Sequence, residues 1–426
     1  MRKMERFLWY AFVFFLPFST VWILREVFVE GEKWQYASFG IYAAEVVLLA
    51  LAVFSVASNR WKGVFRRGVS IIRSPFPVLF LLFVLWAFLS VLWADDPLIA
   101  LQTSLVFFLG FLTFLFARSG KFSTRKTMMV FVAALAVHAA IGIGQFAMQY
   151  SPEVTFLGMP ERVPQEPGVS VLKNDSGRWL RAYGGMAHPN VFAGAVSVAM
   201  VFALILFVTE KRRVYRSVFL IAGALFAFAL VLSFSRAAWL GMVLVLGFLV
   251  FLSWQKPREW RKRPFLFFGV VFLASAVCAL LVQENVFPRF SQETIAVEGS
   301  ISDRSTYLEQ ARRMIAEHTL LGVGAGNFTV ETSRAHWKEN SYIALFQPAH
   351  NAPLLLWAEL GLIGLLLAGM LFVALVRRGI SSRQLFLLAA LFAILPAALL
   401  DHWLVASHFG ILLVSLLAGM VSRKDV

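Results

Sequence analysis

The sequence contains a single cysteine, Cys278, among its 426 residues. One thiol excludes an intrachain disulfide and a thiolate-ligated metal site within one chain. Histidines and carboxylates show no clustering at metal-ligand spacing, so the sequence predicts no metal centre. Charged residues make up only 15% of the chain, with 24 Asp and Glu against 39 Lys and Arg. Internal repeats and low-complexity segments are also absent. The fold class must therefore be inferred from the apolar residues, which are abundant.

Hydrophobic residues make up 59% of the chain. They form runs of about 20 residues, the length that a helix needs to cross roughly 30 Å of hydrocarbon. We therefore predict an all-α, polytopic helical membrane protein with about twelve transmembrane helices. The first run lacks a small-residue cleavage site after it, so we expect an uncleaved anchor. The predicted spans are 7–24, 37–57, 76–93, 98–117, 128–149, 190–209, 217–234, 237–253, 265–282, 352–375, 384–400 and 404–421.

Most Lys and Arg residues fall in alternate connections between the spans and near both termini. Short connections rich in these residues remain in the cytoplasm, so we predict that both termini are cytoplasmic. This asymmetry accounts for the net charge of +15. The positive charge is therefore no reason to predict nucleic-acid binding. The simplest organisation is one membrane domain, residues 1–426, with two outer elaborations at 150–189 and 283–350.

The first elaboration is rich in proline and is predicted to be an irregular loop over the helix ends. Arg178 and Arg181 lie there beside a tryptophan and a tyrosine. This mixture suits a sugar or a phosphate, but it equally suits an aromatic belt at the membrane interface. His188 precedes a predicted helix, and a role in capping exposed backbone amides is favoured over substrate contact.

The second elaboration is predicted to contain an amphipathic surface helix, capped by Ser302 or Asp303. Arg304 in its first turn could face the membrane domain or pair with Glu309, and the spacing does not choose between them. Gly322 and the glycines that follow it lack the strand and the Lys-Ser or Lys-Thr pair of a nucleotide-binding loop, so we exclude a nucleotide. The residues at helical spacing are Arg304, Tyr307, Ala311, Met314 and His318.

Two further candidates lie where spans begin. Arg236 sits beside hydrocarbon, which costs a few kcal/mol unless the side chain snorkels to lipid headgroups or binds an anion. His350 begins the tenth span; an imidazole, with a reference pKa of about 6.5, can accept a proton at neutral pH, or it can simply bond to the helix end. Gly361 returns to the same helix face and is expected to serve helix packing. The pair at positions 401 and 402 is expected to be structural.

Several motifs together resemble the O-antigen ligase and polymerase superfamily of bacterial envelopes. Any one of them is weak, but the ordered set on a twelve-span scaffold is fairly specific. The resemblance implies a GT-C-like fold and transfer of a glycan from a polyprenyl-pyrophosphate carrier to an acceptor hydroxyl, without a metal, cofactor or nucleotide. The motifs are WADDP (93–97), AHPNVFAG (187–194), SRAAWLG (235–241), DRSTYLEQARRMI with LLGVGAGNF (303–328) and HNAPLLLWAELG (350–361).

The resemblance also implies roles for individual residues. Arg236 with Leu240 matches the family's Arg-x-x-x-Leu motif, and His350 with Gly361 matches its His-x(10)-Gly motif. Arg236 and Arg304 would bind the pyrophosphate, and His350 would be the general base of an inverting transfer. Secondary substrate contacts would come from Arg178, Arg181, His188 and Asn351.

In the ligase branch of this superfamily the acceptor is lipid A-core, and the reaction occurs at the periplasmic face of the bacterial inner membrane. A polysaccharide polymerase or a protein O-oligosaccharyltransferase would use the same centre. A lipid-linked sugar flippase is an alternative of a different class. Transport predicts charged or broken helices near the midplane and repeated halves, whereas the ionisable residues of this chain concentrate at the outer ends of its predicted spans.

Overall fold

The computed structural model describes residues 2–29, 32–58, 75–174, 177–255, 257–286, 295–336 and 347–423. Helices dominate these ranges and confirm the predicted all-α, polytopic membrane fold. In chain order they are α1 (Arg2–Phe15), α2 (Ala43–Ala57), α3 (Phe76–Leu89), α4 (Pro97–Arg118), α5 (Thr124–Met148), α6 (Pro189–Thr209), α7 (Arg213–Leu232), α8 (Arg236–Trp254), α9 (Arg258–Leu281), α10 (Gln283–Val286), α11 (Ile295–Glu317), α12 (Phe328–His336), α13 (Ala352–Ser381), α14 (Leu385–Phe392), α15 (Leu395–Leu400), α16 (Trp403–Ala406) and α17 (His408–Val421).

Among the described residues, seven helices are long and apolar enough to cross a membrane: α4 to α9 and α13. Shorter apolar helices occupy four other predicted spans. The first predicted span differs, because α1 ends at Phe15. Pro17 lacks a backbone N–H and disfavours helical geometry in the residue before it, so the helix cannot continue through this point.

Three antiparallel two-stranded ribbons accompany the helices in the described residues. One pairs β1 (Val21–Arg25) with β4 (Phe39–Tyr42), and a second, at its far end, pairs β2 (Phe28–Val29) with β3 (Glu32–Lys33). The third pairs β5 (Val171–Asn174) with β6 (Gly177–Leu180) inside the first outer elaboration. That elaboration is otherwise irregular, as its prolines predicted.

Helix α6 forms the centre of the bundle. It is buried along most of its length and packs against α5, α7 and α14. A helix that is covered on every side must be apolar all round, as this one is. Gly194 allows close packing, since a Cβ there would lie 2.4 Å from the Trp403 ring.

The connections between helices fall at two ends of the bundle. At the first, which we call the basic end, Arg125 pairs with Glu210 and Arg263 donates to the Val208 carbonyl over 2.9 Å. At the opposite end, which we call the site end, helices α4, α6, α8, α13 and α17 begin. Hydrogen bonds there join segments that are far apart in the chain, so the site end is a single connected surface.

Candidate functional site

Helix α13 is broken at Gly361, which has φ 67° and ψ −175°. The break exposes backbone carbonyls, and residues 319–326, which we call the strap, bond to them. Val323 N–H donates to the Ala358 carbonyl over 2.9 Å, and Gly324 N–H donates to the Glu359 carbonyl over 2.8 Å. The expectation that Gly361 serves helix packing is therefore wrong: it opens the helix so that the outer elaboration can attach.

The Glu359 side chain reinforces this attachment. Its carboxylate accepts a hydrogen bond from Gly326 N–H over 2.9 Å and another from Phe328 N–H, at the start of α12. Trp357 also donates from its indole nitrogen to the Thr319 carbonyl over 3.1 Å. Because α11 ends at Glu317, directly before the strap, the broken helix fixes α11 in place.

Helix α11 covers His350. The Tyr307 ring stacks on the His350 ring with 5.5 Å between centroids and 16° between planes. Ala311 and Met314, the next positions on the same stripe, are buried in a cluster with residues of α13 such as Leu355. The predicted amphipathic helix is thus confirmed, although it begins at Ile295, before the predicted caps.

The site residues from this elaboration are only partly described. The backbone of Arg304 lies in α11, one turn before Tyr307, and its side chain lies outside the described part of the chain. Asn351 caps α13: its side chain accepts from Leu354 N–H over 3.0 Å and donates to the Leu399 carbonyl over 3.1 Å. That second bond brings the start of α13 to the end of α15.

His402 and Asp401 lie beside His350. The His350 and His402 rings meet edge to face with 4.8 Å between centroids. Asp401 accepts a hydrogen bond from the Asn190 side-chain amide over 2.7 Å and another from the His402 backbone N–H over 2.7 Å. His188 accepts from Asn190 N–H over 3.1 Å, which confirms the predicted capping role. The cluster therefore joins α6, α13 and the α15–α16 connection.

The electrostatics of this cluster favour one carboxylate among neutral imidazoles. Burial and, next in size, the charge of Arg181 together lower the pKa of His188 to about 3. Burial also lowers the pKa of His402, against the attraction of Asp401. For Asp401 burial opposes ionisation, but the three surrounding histidines and the Asn190 hydrogen bond hold its pKa below the usual value. A carboxylate so placed stabilises a proton taken up by the neighbouring His350 imidazole.

Arg181 links this cluster to the connection between α7 and α8. Its buried guanidinium donates to the Ser233 carbonyl over 2.8 Å, to the Ser170 hydroxyl over 2.8 Å and to the Asn190 side-chain oxygen over 2.9 Å. Arg178 donates to the Pro164 carbonyl over 2.5 Å. Both arginines therefore bond to acceptors within the protein. Their role as secondary substrate contacts stays a prediction.

Arg236 differs from these two arginines. It is the first residue of α8, it is exposed, and in the described part of the chain it makes no hydrogen bond or ion pair. Helices α6, α8 and α13 all begin at the site end, and helix N-termini carry partial positive charge that favours anions. The site end thus offers a guanidinium that can bind a ligand, at the same end of the bundle as the buried carboxylate and imidazole cluster.

Comparison with known proteins supports the resemblance to the O-antigen ligase superfamily. Residues 221–369 match the family described as O-antigen ligase. This segment of the chain is similar to the O-antigen ligases. It is 25% identical over 257 residues to the ComP-specific O-oligosaccharyltransferase of Acinetobacter baylyi, covering 58% of this chain and 45% of that protein. It is 27% identical over 146 residues to the General O-oligosaccharyltransferase of the same organism, covering 34% and 23%. Each match spans less than half of the relative's length.

The ligase-family segment contains Arg236, Arg304 and His350, but Asp401 and His402 lie outside it. The sequence predicts a structural role for these two, and the geometry places them against His350. The available signal was a polar pair at the end of an apolar span, which alone does not reveal its neighbour. Donor atoms of His350, Asp401 and His402 lie within 4.8 Å of one another. Each Asp401 oxygen accepts one hydrogen bond, and a carboxylate beside two imidazoles is a set of groups that can move a proton.

Replacing Asp401 with asparagine should weaken the base without removing the side chain that bonds to Asn190. We expect transfer to slow by about tenfold, since a change of one pKa unit corresponds to that factor. The acid limb of the pH–rate profile should move to lower pH, because the imidazolium loses its neighbouring negative charge. Steady-state rates between pH 5 and 9 test this. An unchanged profile would leave Asp401 with a structural role only.

Asp95 of the WADDP motif forms a carboxyl pair with Glu331 at the site end. Asp95 pairs with Arg334 of α12 over 2.5 Å and bonds to the Glu331 carboxyl. Burial, then the hydrogen bond and charge of Asp95, raise the pKa of Glu331 from 4.5 to about 7. A raised folded-state pKa means that protonation stabilises the folded contact: the contribution is complete below pH 4.5 and is lost as the pH rises through 7.

We therefore expect the attachment of α12 to loosen between pH 6 and 8, and Glu331→Gln to abolish this dependence. Amide hydrogen exchange across Phe328–His336, corrected for intrinsic rates, measures the attachment. Faster exchange of these amides at pH 8 in the natural protein, with equal exchange at both pH values in the variant, is the expected pattern. The same pH response in both proteins would contradict it.

Proposed function

We propose that this chain is an O-antigen ligase-type glycosyltransferase. In this proposal it moves a glycan from a polyprenyl-pyrophosphate carrier to a hydroxyl of lipid A-core at the periplasmic face of a bacterial inner membrane. The observation that carries the proposal is the placement of His350 against Asp401 at the same end of the bundle as the exposed Arg236. The superfamily match supports glycosyl transfer as the chemistry.

In the reaction, the acceptor hydroxyl gives its proton to His350 as its oxygen attacks the anomeric carbon. The bond from that carbon to the pyrophosphate oxygen breaks, and its electron pair leaves with the polyprenyl pyrophosphate. Direct displacement inverts the anomeric centre. Arg236 and Arg304 neutralise the charge that grows on the leaving group, while Asp401 stabilises the imidazolium. The protein's own side chains supply each step, so the proposal needs no metal.

The proposed orientation puts the site end in the periplasm and both termini in the cytoplasm. The support is the distribution of basic residues, which concentrate at the basic end and favour cytoplasmic placement. The broken α13 is also a feature found in transporters. Here, however, the strap fills the break by donating hydrogen bonds to the Ala358 and Glu359 carbonyls, which favours chemistry at one face over transport.

A protein O-oligosaccharyltransferase is the second candidate, because both relatives carry that name. The transfer centre would be the same, and the acceptor would be a Ser or Thr hydroxyl of a protein. A polysaccharide polymerase, with a second carrier-linked unit as acceptor, remains the third member of this set.

The test is transfer in proteoliposomes that contain the purified protein and a polyprenyl-pyrophosphate-linked glycan. Separate reactions receive lipid A-core, a pilin-like protein or a second carrier-linked unit, and glycan attachment is followed by mass spectrometry. Product on lipid A-core alone is expected. Product on the protein or on the carrier assigns one of the other branches, and movement of the donor across the bilayer without any product would support a transporter.

A further inference from the structure

A ribbon of two strands joins the first two apolar runs of the chain: β1 follows the first helix, and β4 precedes the second. β1 pairs antiparallel with β4, so that Trp22 lies opposite Ile41 and Ile23 lies opposite Gly40. β4 leads directly into α2, and Ala43 N–H donates to the Thr20 carbonyl over 3.0 Å. The ribbon thus extends α1 and α2 at the site end, where each run was predicted to continue as a helix.

Both faces of this ribbon carry exposed apolar side chains, although Tyr42 at its end packs on the His408 ring. Successive residues of a strand point to opposite faces. Trp22 is 80% exposed on one face and Ile23 is 43% exposed on the other, while Leu24, at the register shift in the pairing, is 61% exposed. The first charge after them, Arg25, is neutralised by Asp96 over 2.8 Å. A folded protein partner would cover one face, whereas a fluid apolar medium covers both.

The lengths of the two helices point to the same medium. Helix α2 has 15 residues and rises about 22 Å at 1.5 Å per residue, which is short of the roughly 30 Å of a hydrocarbon core. In α1 the charges at Lys3 and Arg6 leave only Phe7–Phe15 as apolar helix, about 13 Å. Neither helix alone therefore completes a crossing, so the ribbon that continues them at the site end begins no further out than the membrane surface.

Depth is limited by the backbone of the ribbon. A two-stranded ribbon has unpaired N–H and C=O groups along its outer edges, and such groups are not tolerated among lipid tails. Headgroups and the water between them can satisfy these groups, and Trp side chains favour the same zone. The ribbon accordingly fits the boundary between headgroups and acyl chains.

We propose that the β1–β4 ribbon is a membrane-interface anchor, with lipid on both faces in the leaflet at the site end. The segment between its strands returns to the site. Trp34 and Ala37 pack with Ile99 of α4, and the Tyr36 hydroxyl lies 3.5 Å from His402 Nε2. The anchor therefore holds the His350 cluster at headgroup depth. It stands on exposure and length alone and does not depend on the proposed transfer reaction.

Site-directed spin labelling tests the anchor. With the buried Cys278 replaced by serine, one cysteine is introduced as Trp22→Cys or Ile23→Cys, one on each face, and labelled with a nitroxide. Lys173→Cys is the matched control, because Lys173 is an exposed position on β5, another two-stranded ribbon at the site end. Each protein is reconstituted in phosphatidylcholine vesicles, and relaxation by oxygen is compared with relaxation by a water-soluble nickel complex.

Oxygen should dominate at positions 22 and 23, and the nickel complex should dominate at 173. Three results would overturn the anchor: nickel dominance at 22 and 23, oxygen dominance on one face only, or shielding of both positions from both relaxers, as a protein partner would produce. If the cysteine variants fail to fold, a second measurement that needs no cysteine variant tests the anchor. Brominated phosphatidylcholine should quench less of the tryptophan fluorescence in Trp22→Phe than in the natural protein, and equal quenching would also overturn the anchor.

Discussion

Replacement of His350 by alanine is expected to slow glycan transfer by about two to four orders of magnitude, the usual contribution of a positioned general base. The imidazole lies between the Tyr307 ring and the His402 ring, so its loss removes the group that takes the acceptor proton. Asn351 still caps α13 in the variant, and the helix should therefore remain folded. Single-turnover transfer with donor in excess measures the effect.

His318→Ala is the matched control for this experiment. His318 lies in the same outer elaboration, directly after α11, and is exposed. Its replacement should leave the rate within about twofold, since surface substitutions seldom change a protein's behaviour strongly. If His350→Ala retained the rate of the control, His350 would not be the base, and the proton would have to leave by another route.

Gly361→Ala should have the second largest effect, on stability and activity together. A Cβ at this position would lie 2.1 Å from the Leu320 carbonyl oxygen, and the backbone φ of 67° already disfavours any residue other than glycine. The strap would have to move away from α13, breaking its hydrogen bonds to Ala358 and Glu359. We expect a loss of about 3 kcal/mol or more in the free energy of unfolding.

Gly369→Ala provides the comparison on the same helix. A Cβ at Gly369 would meet nothing within 4 Å, so this change should be neutral or stabilising by up to about 1 kcal/mol. Thermal unfolding in detergent and the transfer rate are measured for both variants. Equal unfolding temperatures would show that the strap does not depend on the break.

The apolar runs predicted the helical class and the position of nearly every span, because a bilayer leaves a helix as the main way to satisfy the backbone. They could not distinguish a continuous helix from a helix joined to a ribbon strand at 7–24 and 37–57. Apolar content over a short segment suits a strand as well as a helix. Only Pro17 marked the end of the first helix.

The sequence predicted the site residues that belong to motifs and missed those that only tertiary packing brings to the site. His350 and Arg236 belong to ordered motifs, so resemblance found them. Asp401 acquires its place through the Asn190 side chain and a chain reversal between α15 and α16, neither of which leaves a local pattern. Gly361 was misinterpreted because helical spacing assumes an unbroken helix.

The filled break in α13 bears on any attempt to exchange outer segments between members of the superfamily. A graft that ends at residue 350 would bring a foreign strap against the native Ala358 and Glu359 carbonyls. Each buried carbonyl left without a donor costs about 1–3 kcal/mol. A transplantable unit should therefore run from α11 through Leu362, carrying both halves of the joint together, so that the outer segment can be exchanged without unfolding the recipient.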